Sequence, residues 1–321
     1  MRTDRGQERG AALLTVLLLV AIVGALAAAT MEKLNLSTRQ AANAKAMEQA
    51  RGWSQAAAVM ALIRIQSVRK DPKSTVSLAG GWSDRPFPLP IPDGVATARV
   101  HDGGNCFNLN SLVVRSGVDT YVVRSAGVTQ FARLMRLIGV PNGDSIAAAS
   151  ADWIDTDNNP IAGGAEDAAY SGYRTANTLM ADPSELRAVA GVTPQIYEKL
   201  RPYVCALPTT DPATVNVNTI EPERSALIAA MTPDTLGAEE VRRALLTRPE
   251  TGWSQVSNFW SSGSLAAKVP GGAPGGTGVT TQWFALITDV TIGGATLRQT
   301  GLIDARTPQP ALVARQWGEG A

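Results

Sequence analysis

The sequence is poor in the side chains that catalysis and transition-metal binding usually draw on. His101 is the only histidine, and Cys106 and Cys205 are the only cysteines. One imidazole excludes a multi-histidine metal centre, and two thiols cannot complete a four-ligand zinc site. Charge of either sign is not in excess: 29 Lys and Arg stand against 28 Asp and Glu, a formal net charge of +1. Nucleic-acid binding calls for a strong basic excess, so no nucleic-acid partner is expected. Neither a Walker-type phosphate loop nor a Gly-x-Ser-x-Gly elbow occurs. His101 stands near Asp102 and Cys106 in RVHDGGNCF, which could suggest a thiol site. A strand there would send His101 and Asp102 to opposite faces, so the chain is read as not being an enzyme. The 7 tryptophans are scattered singly, which fits core and turn packing better than a carbohydrate platform.

Charge is also missing from the run AALLTVLLLVAIVGALAAATM, Ala11 to Met31, which is long enough to cross bilayer hydrocarbon as a helix. The ten residues before it are polar and charged and end Glu8-Arg9-Gly10. A basic leader keeps that end cytoplasmic and delivers the rest to the far side. A cleaved secretory signal is the competing reading, with Ala27-Ala28-Ala29 offering small residues near a cleavage point. The apolar run exceeds a usual signal core, however, and continues into residues 32–66, which contain one glycine, no proline and apolar residues at helical spacing. A single helix over 11–66, transmembrane through 11–31, follows.

A short leader ending in glycine and passing at once into a long apolar helix resembles a type IV prepilin-like signal. The resemblance implies cutting by prepilin peptidase between Gly10 and Ala11, with methylation of the new N-terminus. Most pilins and pseudopilins carry glutamate at the fifth mature position, where it is thought to pair with a neighbour's terminal amine. The fifth residue here is Thr15. Without the carboxylate a subunit cannot neutralise the amine of one above it, so a place with nothing above costs least. In this the chain resembles the K-type minor pseudopilins of the type II secretion system, which lack this glutamate and sit at the tip of the pseudopilus. An anchor helix that merely tolerates a polar Thr15 is the plainer alternative.

Residues 67–98 are rich in Gly, Pro and Ser and read as loop. Strand-like runs follow near 95–102 and 120–126, then short helical runs punctuated by Pro and Gly through 128–270. Pro183, Pro194, Pro222 and Pro233 stand at or near first-turn positions. Strand character returns over 282–305, as a hairpin through Gly293-Gly294. The class is α+β: an antiparallel sheet in a pilin-like α/β body (67–127 and 280–310), an inserted helical domain (128–270) and a flexible tail (311–321). K-type pseudopilins share this layout. The helix pairs within 183–231 resemble SAM-like or helix–hairpin–helix units, some of which bind DNA phosphate through a glycine turn. Here the turn Ala190-Gly191-Val192 is flanked by both signs, Arg187 and Lys199 with Glu185 and Glu198. Helices packing on one another is the simpler reading, and a membrane-anchored DNA-uptake protein the alternative.

The most chemical stretch is ADWIDTDNNPIAGGAEDAAYSGY, residues 151–173. Asp152, Asp155, Asp157, Glu166 and Asp167 lie among Asn, Gly and Pro, the hard oxygen donors that calcium prefers, without the EF-hand spacing. Helix capping and turns, or paired carboxylates in acid–base work, remain open on composition alone. The DWIDxD…GAED pattern resembles the K-type segment that binds calcium, which implies a structural ion held by Asp155, Asp157, Glu166 and Asp167, with Asp152 possible as a ligand but favoured as a brace. In an exported domain, Cys106 and Cys205 have an obvious use as one disulfide, with two unrelated buried thiols as the alternative. The resemblance further implies a single-pass protein of the bacterial inner membrane with a periplasmic domain. Its partners would be other minor pseudopilins, prepilin peptidase and the inner-membrane secretion platform. A type IV pilus minor pilin is the nearest alternative.

Overall fold

The computed structural model describes residues 5–69, 71, 73–232, 234, 236–263, 265–269 and 274–318, with side chains from Ala11 onward. Residues 1–4 of the expected leader, Pro233 and part of the 270–280 loop lie outside the described residues.

Helix α1 runs without a break from Arg5 to Val68. Every side chain from Ala11 to Lys45 is exposed, so the apolar stretch rests on nothing within the chain. It is long and apolar enough to cross a membrane. From Ala46 onward one face is buried: Ala46, Ala50, Ser54, Ala57, Ala61 and Ile65 recur every three or four residues. These small side chains let the helix lie close on a sheet. Ser54 Oγ sits 2.6 Å from Thr288 Oγ1 and donates to Gln299 Oε1 at 3.0 Å.

After the Pro-rich loop, β1 (Phe87–Leu89) pairs antiparallel with β2 (Gly94–Asp102). Pro88 is tolerated because β1 is an edge strand that needs no outward hydrogen bond. The chain then leaves the sheet to build a second unit. It opens with β3 (Phe107–Asn108) and the hairpin β4 (Val113–Gly117) and β5 (Thr120–Val123). Helices α2 (Ser125–Leu137) and α3 (Gly143–Asp152) follow, then α4 (Pro194–Leu200), β6 (Val204–Cys205) and β7 (Val215–Asn216). Helices α5 (Ala226–Ala229), α6 (Ala238–Leu246), α7 (Val256–Trp260) and α8 (Leu265–Lys268) precede β8 (Thr277–Gly278). Pro183, Pro194 and Pro222 each open a helical turn, where the missing N–H costs nothing. The first helix of the pairs expected within 183–231 is only a 3-10 turn, Pro183–Ala188, because Val189 is extended and Gly191 takes φ +84°.

The sequence reading put residues 67–127 in the α/β body; the packing assigns part of them elsewhere. Phe107, Leu109, Leu112, Val113 and Tyr121 are buried in the helical unit's core, and Phe107 stacks on Phe131 of α2 at 4.8 Å. The parallel pair β3–β6 ties this segment to residues far along the chain. Beside it the Cys106–Cys205 disulfide closes a separation of 99 residues.

The sheet resumes as β9 (Trp283–Ile292), β10 (Ala295–Asp304) and β11 (Ala311–Trp317), giving the antiparallel order β1-β2-β9-β10-β11. Gly293 and Gly294, both at positive φ, make the two-residue turn of the hairpin. The tail expected to be flexible from 311 onward is instead an edge strand as far as Trp317. It pairs with β10 from Asp304↔Ala311 to Gln299↔Trp317. Its side chains are mostly exposed and pack little, so the backbone ladder holds it rather than a hydrophobic signal.

A second core lies between α1 and the sheet, with Ala57, Ile65, Val100, Phe284, Leu286 and Val290 among its buried residues. Ala46 meets the Gly293 turn at one end of the sheet, and Ser54 crosses its middle. The helical unit leaves β2 after Asp102 and re-enters before Trp283, at the other end. Since α1 rises from its apolar segment toward that end, the helical unit caps the end of the sheet farthest from the apolar segment. A buried polar cluster fastens the two. Asp102 accepts from Thr219 Oγ1, Thr281 Oγ1 and Gly104 N, while Asn216 donates to Val76 O and Thr281 Oγ1.

Candidate metal centre

Three of the five acidic residues in the 151–173 stretch converge. Asp152 ends α3, Asp155 lies in the turn that follows, and Glu166 arrives from the far side of the loop. Oxygens of the three lie within 4.8 Å of one another, and all three residues are buried. Local sequence explains the convergence. The alanine-rich α3 packs its last turn into the core, so Asp152 enters at 0% exposure and Asp155 at 2%. Glycine at 164 is required, since a Cβ there would stand 1.9 Å from Asp152 Oδ2.

Each of the three carboxylates has one oxygen without a partner, and two of them have the other tied to the protein. Asp152 Oδ1 accepts from Ile161 N at 3.3 Å, and Glu166 Oε2 from Thr175 Oγ1 at 3.2 Å. Asp152 Oδ2, Asp155 Oδ1 and Glu166 Oε1 are buried with no hydrogen-bond partner. A buried acceptor left unmade costs about 1–3 kcal/mol, and more when charged, so three together mark a site short of a ligand. Burial, reinforced by Asp157, Glu166 and Asp152, pushes the Asp155 carboxyl up to about 7. Burial also pushes Glu166 up to about 7 against the Thr175 hydrogen bond, with Asp152, Asp157 and Asp167 adding repulsion. Asp152 is raised mainly by burial. Crowded oxygen donors without imidazole or thiolate suit a hard divalent cation.

The expected ligand set therefore divides. Asp155 and Glu166 belong to the cluster. Asp152, favoured as a brace, does both jobs: one oxygen braces Ile161 and the other faces the cluster. Asp157 is exposed and caps Asn159 N at 2.8 Å; Asp167 accepts from Thr175 N and Oγ1 at 3.0 and 2.9 Å. Both add charge nearby without joining the group. Thr175 was missed, because nothing in its own sequence neighbourhood marks it. Trp153, Tyr170 and Tyr173 wall the loop, with Trp153 edge-on to Tyr170 at 5.5 Å.

The other sequence candidates have structural employment. Asp102 is fully committed at the junction, and His101 faces away from it, with Nδ1 3.3 Å from Asp84. In the Ala190-Gly191-Val192 turn two of the three amides are already used: Ala190 N donates to Tyr170 Oη and Val192 N to Val189 O. Thr15 Oγ1 donates back to Ala12 O within α1. Gly10 and Ala11 lie within the continuous helix.

Family models described as "Type II secretion system (T2SS), protein K" match residues 105–209 and 215–280. The type II secretion system protein K of Klebsiella pneumoniae is 34% identical over 318 residues, 97% of each chain. That of Aeromonas hydrophila is 37% identical over 261 residues, 78% of each. Among solved structures, a chain of the GspK-GspI-GspJ complex from enterotoxigenic Escherichia coli superposes with a TM-score of 0.72 at 29% identity, covering 85% of this chain and 97% of that one. With its buried carboxylate loop, anchor-like helix and sheet-capping helical unit, the chain belongs to the protein K family of the type II secretion system.

Proposed function

We propose that this chain is the tip subunit of a periplasmic pseudopilus, anchored in the bacterial inner membrane by α1 until it is assembled. The observation that carries the reading is the position of the helical unit at the end of the sheet farthest from the apolar segment. A unit placed there would obstruct any subunit stacked above it, and Thr15 offers such a subunit's terminal amine no carboxylate. The similar solved chain comes from a complex with GspI and GspJ, which supports other minor pseudopilins as partners here. Prepilin peptidase would cut between Gly10 and Ala11 and methylate Ala11, and the inner-membrane secretion platform would deliver the subunit to the fibre. The short helix pairs are read as SAM-like packing units with no part in DNA binding.

The buried carboxylates fit a calcium ion. Asp152, Asp155 and Glu166 would hold it, their unpartnered oxygens gaining a cation. The ion would act structurally, cancelling mutual repulsion in the loop. The decisive experiment is peptide mass spectrometry of the protein from its own inner membrane. A chain beginning at methylated Ala11 is expected; one beginning at Met1 or beyond Ala27 would overturn the pseudopilus assignment.

A further inference from the structure

We propose that the carboxylate loop governs the β4–β5 hairpin: with a divalent cation in the loop, Thr156 is held against the hairpin's open edge, and without one that edge comes free. The proposal rests on the cation reading given above and names what the ion controls beyond its own loop. Thr156 stands between Asp155, a member of the carboxylate cluster, and Asp157. Its backbone and side chain meet one partner, 35 positions away in sequence. Thr156 N donates to Tyr121 O at 3.1 Å, and Thr156 Oγ1 donates to the same oxygen at 3.1 Å. Tyr121 N in turn donates to Thr156 Oγ1 at 3.2 Å.

The hairpin needs this partner. Strands β4 and β5 form a two-stranded sheet of their own, apart from the five-stranded one. Such a ribbon is marginal in water unless something else holds it. Its root is secured by Val113 and Tyr121, both buried in the helical unit's core. Arg115 adds a local brace, donating from Nη2 to Tyr121 Oη at 3.1 Å with its guanidinium 5.5 Å from the ring centre. Neither contact uses the Tyr121 amide or carbonyl; Thr156 takes both. Away from this root the hairpin is open to solvent: Val118 is 89% exposed and Val122 40%, and Asp119 turns the chain at φ +50°. What the loop governs is therefore an exposed apolar tip.

The coupling is mechanical. The unpartnered oxygens of Asp152, Asp155 and Glu166 crowd one small volume, where like charges repel unless a cation neutralises them. Asp152 is tied to Ile161 N and Glu166 to Thr175, whereas the Asp155 carboxylate has no hydrogen bond among the described residues. Repulsion is thus relieved most easily by moving Asp155 outward. At 2% exposure, bringing its carboxylate to water takes the backbone with it, and Thr156 is one peptide unit on. A shift of about 1 Å carries all three bonds to Tyr121 beyond hydrogen-bonding range.

The test is hydrogen–deuterium exchange by mass spectrometry on the full detergent-solubilised chain, in calcium chloride and in EDTA. Calcium is expected to slow exchange of the peptide spanning Tyr121 by about tenfold or more, together with that of the 151–173 loop, while the β9–β10 hairpin exchanges alike in both. Thr156→Val keeps the shape and removes the hydroxyl; its loop should still respond to calcium, and its hairpin should not. Thr156→Ser keeps a hydroxyl and should keep the hairpin's response. A loop that responds while the wild-type hairpin does not overturns the coupling, as does a full hairpin response in Thr156→Val. Should Thr156→Val misfold, the wild-type comparison decides alone. A loop indifferent to calcium overturns the cation reading itself, a result distinct from failure of the coupling.

Discussion

The carboxylate loop makes a prediction whose sign depends on whether metal is present. Without metal, Asp155 and Glu166 titrate near 7 in the folded chain, against the ordinary carboxyl range near 4 when unfolded. Between those values the folded state holds protons that the unfolded state has released, so stability falls as pH rises. The loss is complete once pH passes the folded value of about 7. Lowering the pH of chelated protein from 8 to 5.5 should therefore restore roughly 2 kcal/mol for either group alone, and less than twice that for the coupled pair. For a unit of this size that is on the order of 5–10 °C in melting temperature. Excess calcium should reverse the slope, because an ion held at this site would bind the deprotonated carboxylates and be released as they protonate. The assay is thermal melting of the detergent-solubilised chain, in EDTA and in calcium, across pH 5.5 to 8. A metal-free melting temperature independent of pH would refute the electrostatic argument. Identical curves in EDTA and calcium would refute the metal site.

Three further perturbations probe other parts of the argument. Gly164→Ala puts a methyl against Asp152 Oδ2, so it should abolish the calcium-dependent rise in melting temperature while leaving the sheet's circular dichroism intact. Asp102→Ala strips the Thr219 and Thr281 hydroxyls of a buried acceptor; about 2–4 kcal/mol of stability should be lost in denaturant melts. Replacing both cysteines by serine releases a loop whose ends are 99 residues apart, which should cost about 2–5 kcal/mol, read as a lower denaturant midpoint without loss of fold at low temperature.

What was legible in the sequence follows from how local the determining physics is. The apolar run of 11–31, the hairpin at Gly293-Gly294 and the first-turn prolines each carry their cause within a few residues. β11 escaped notice because ALVARQW has no strong alternation; its strand character is conferred by β10, a partner that exists only once the sheet has formed. Residues 107–123 were assigned to the wrong unit for a related reason. Their apolar residues look alike for either core, and what decides is the stacking of Phe107 on Phe131 together with the β3–β6 pairing.

The carboxylate loop shows the same limit at the level of single atoms. Composition located the acidic stretch, but the resemblance to the K-type segment favoured Asp157 and Asp167 over Asp152. Burial reverses that order. Helix α3 carries Asp152 inward with its last turn, whereas Asp157 is already out in solvent and spends its oxygen on Asn159 N. A carboxylate becomes a ligand when the fold removes its alternatives, and hydrogen bonding to water or to a nearby amide is the alternative that sequence cannot see. The three oxygens left without partners are thus better evidence for a cation than the five acidic residues that first drew attention to the loop.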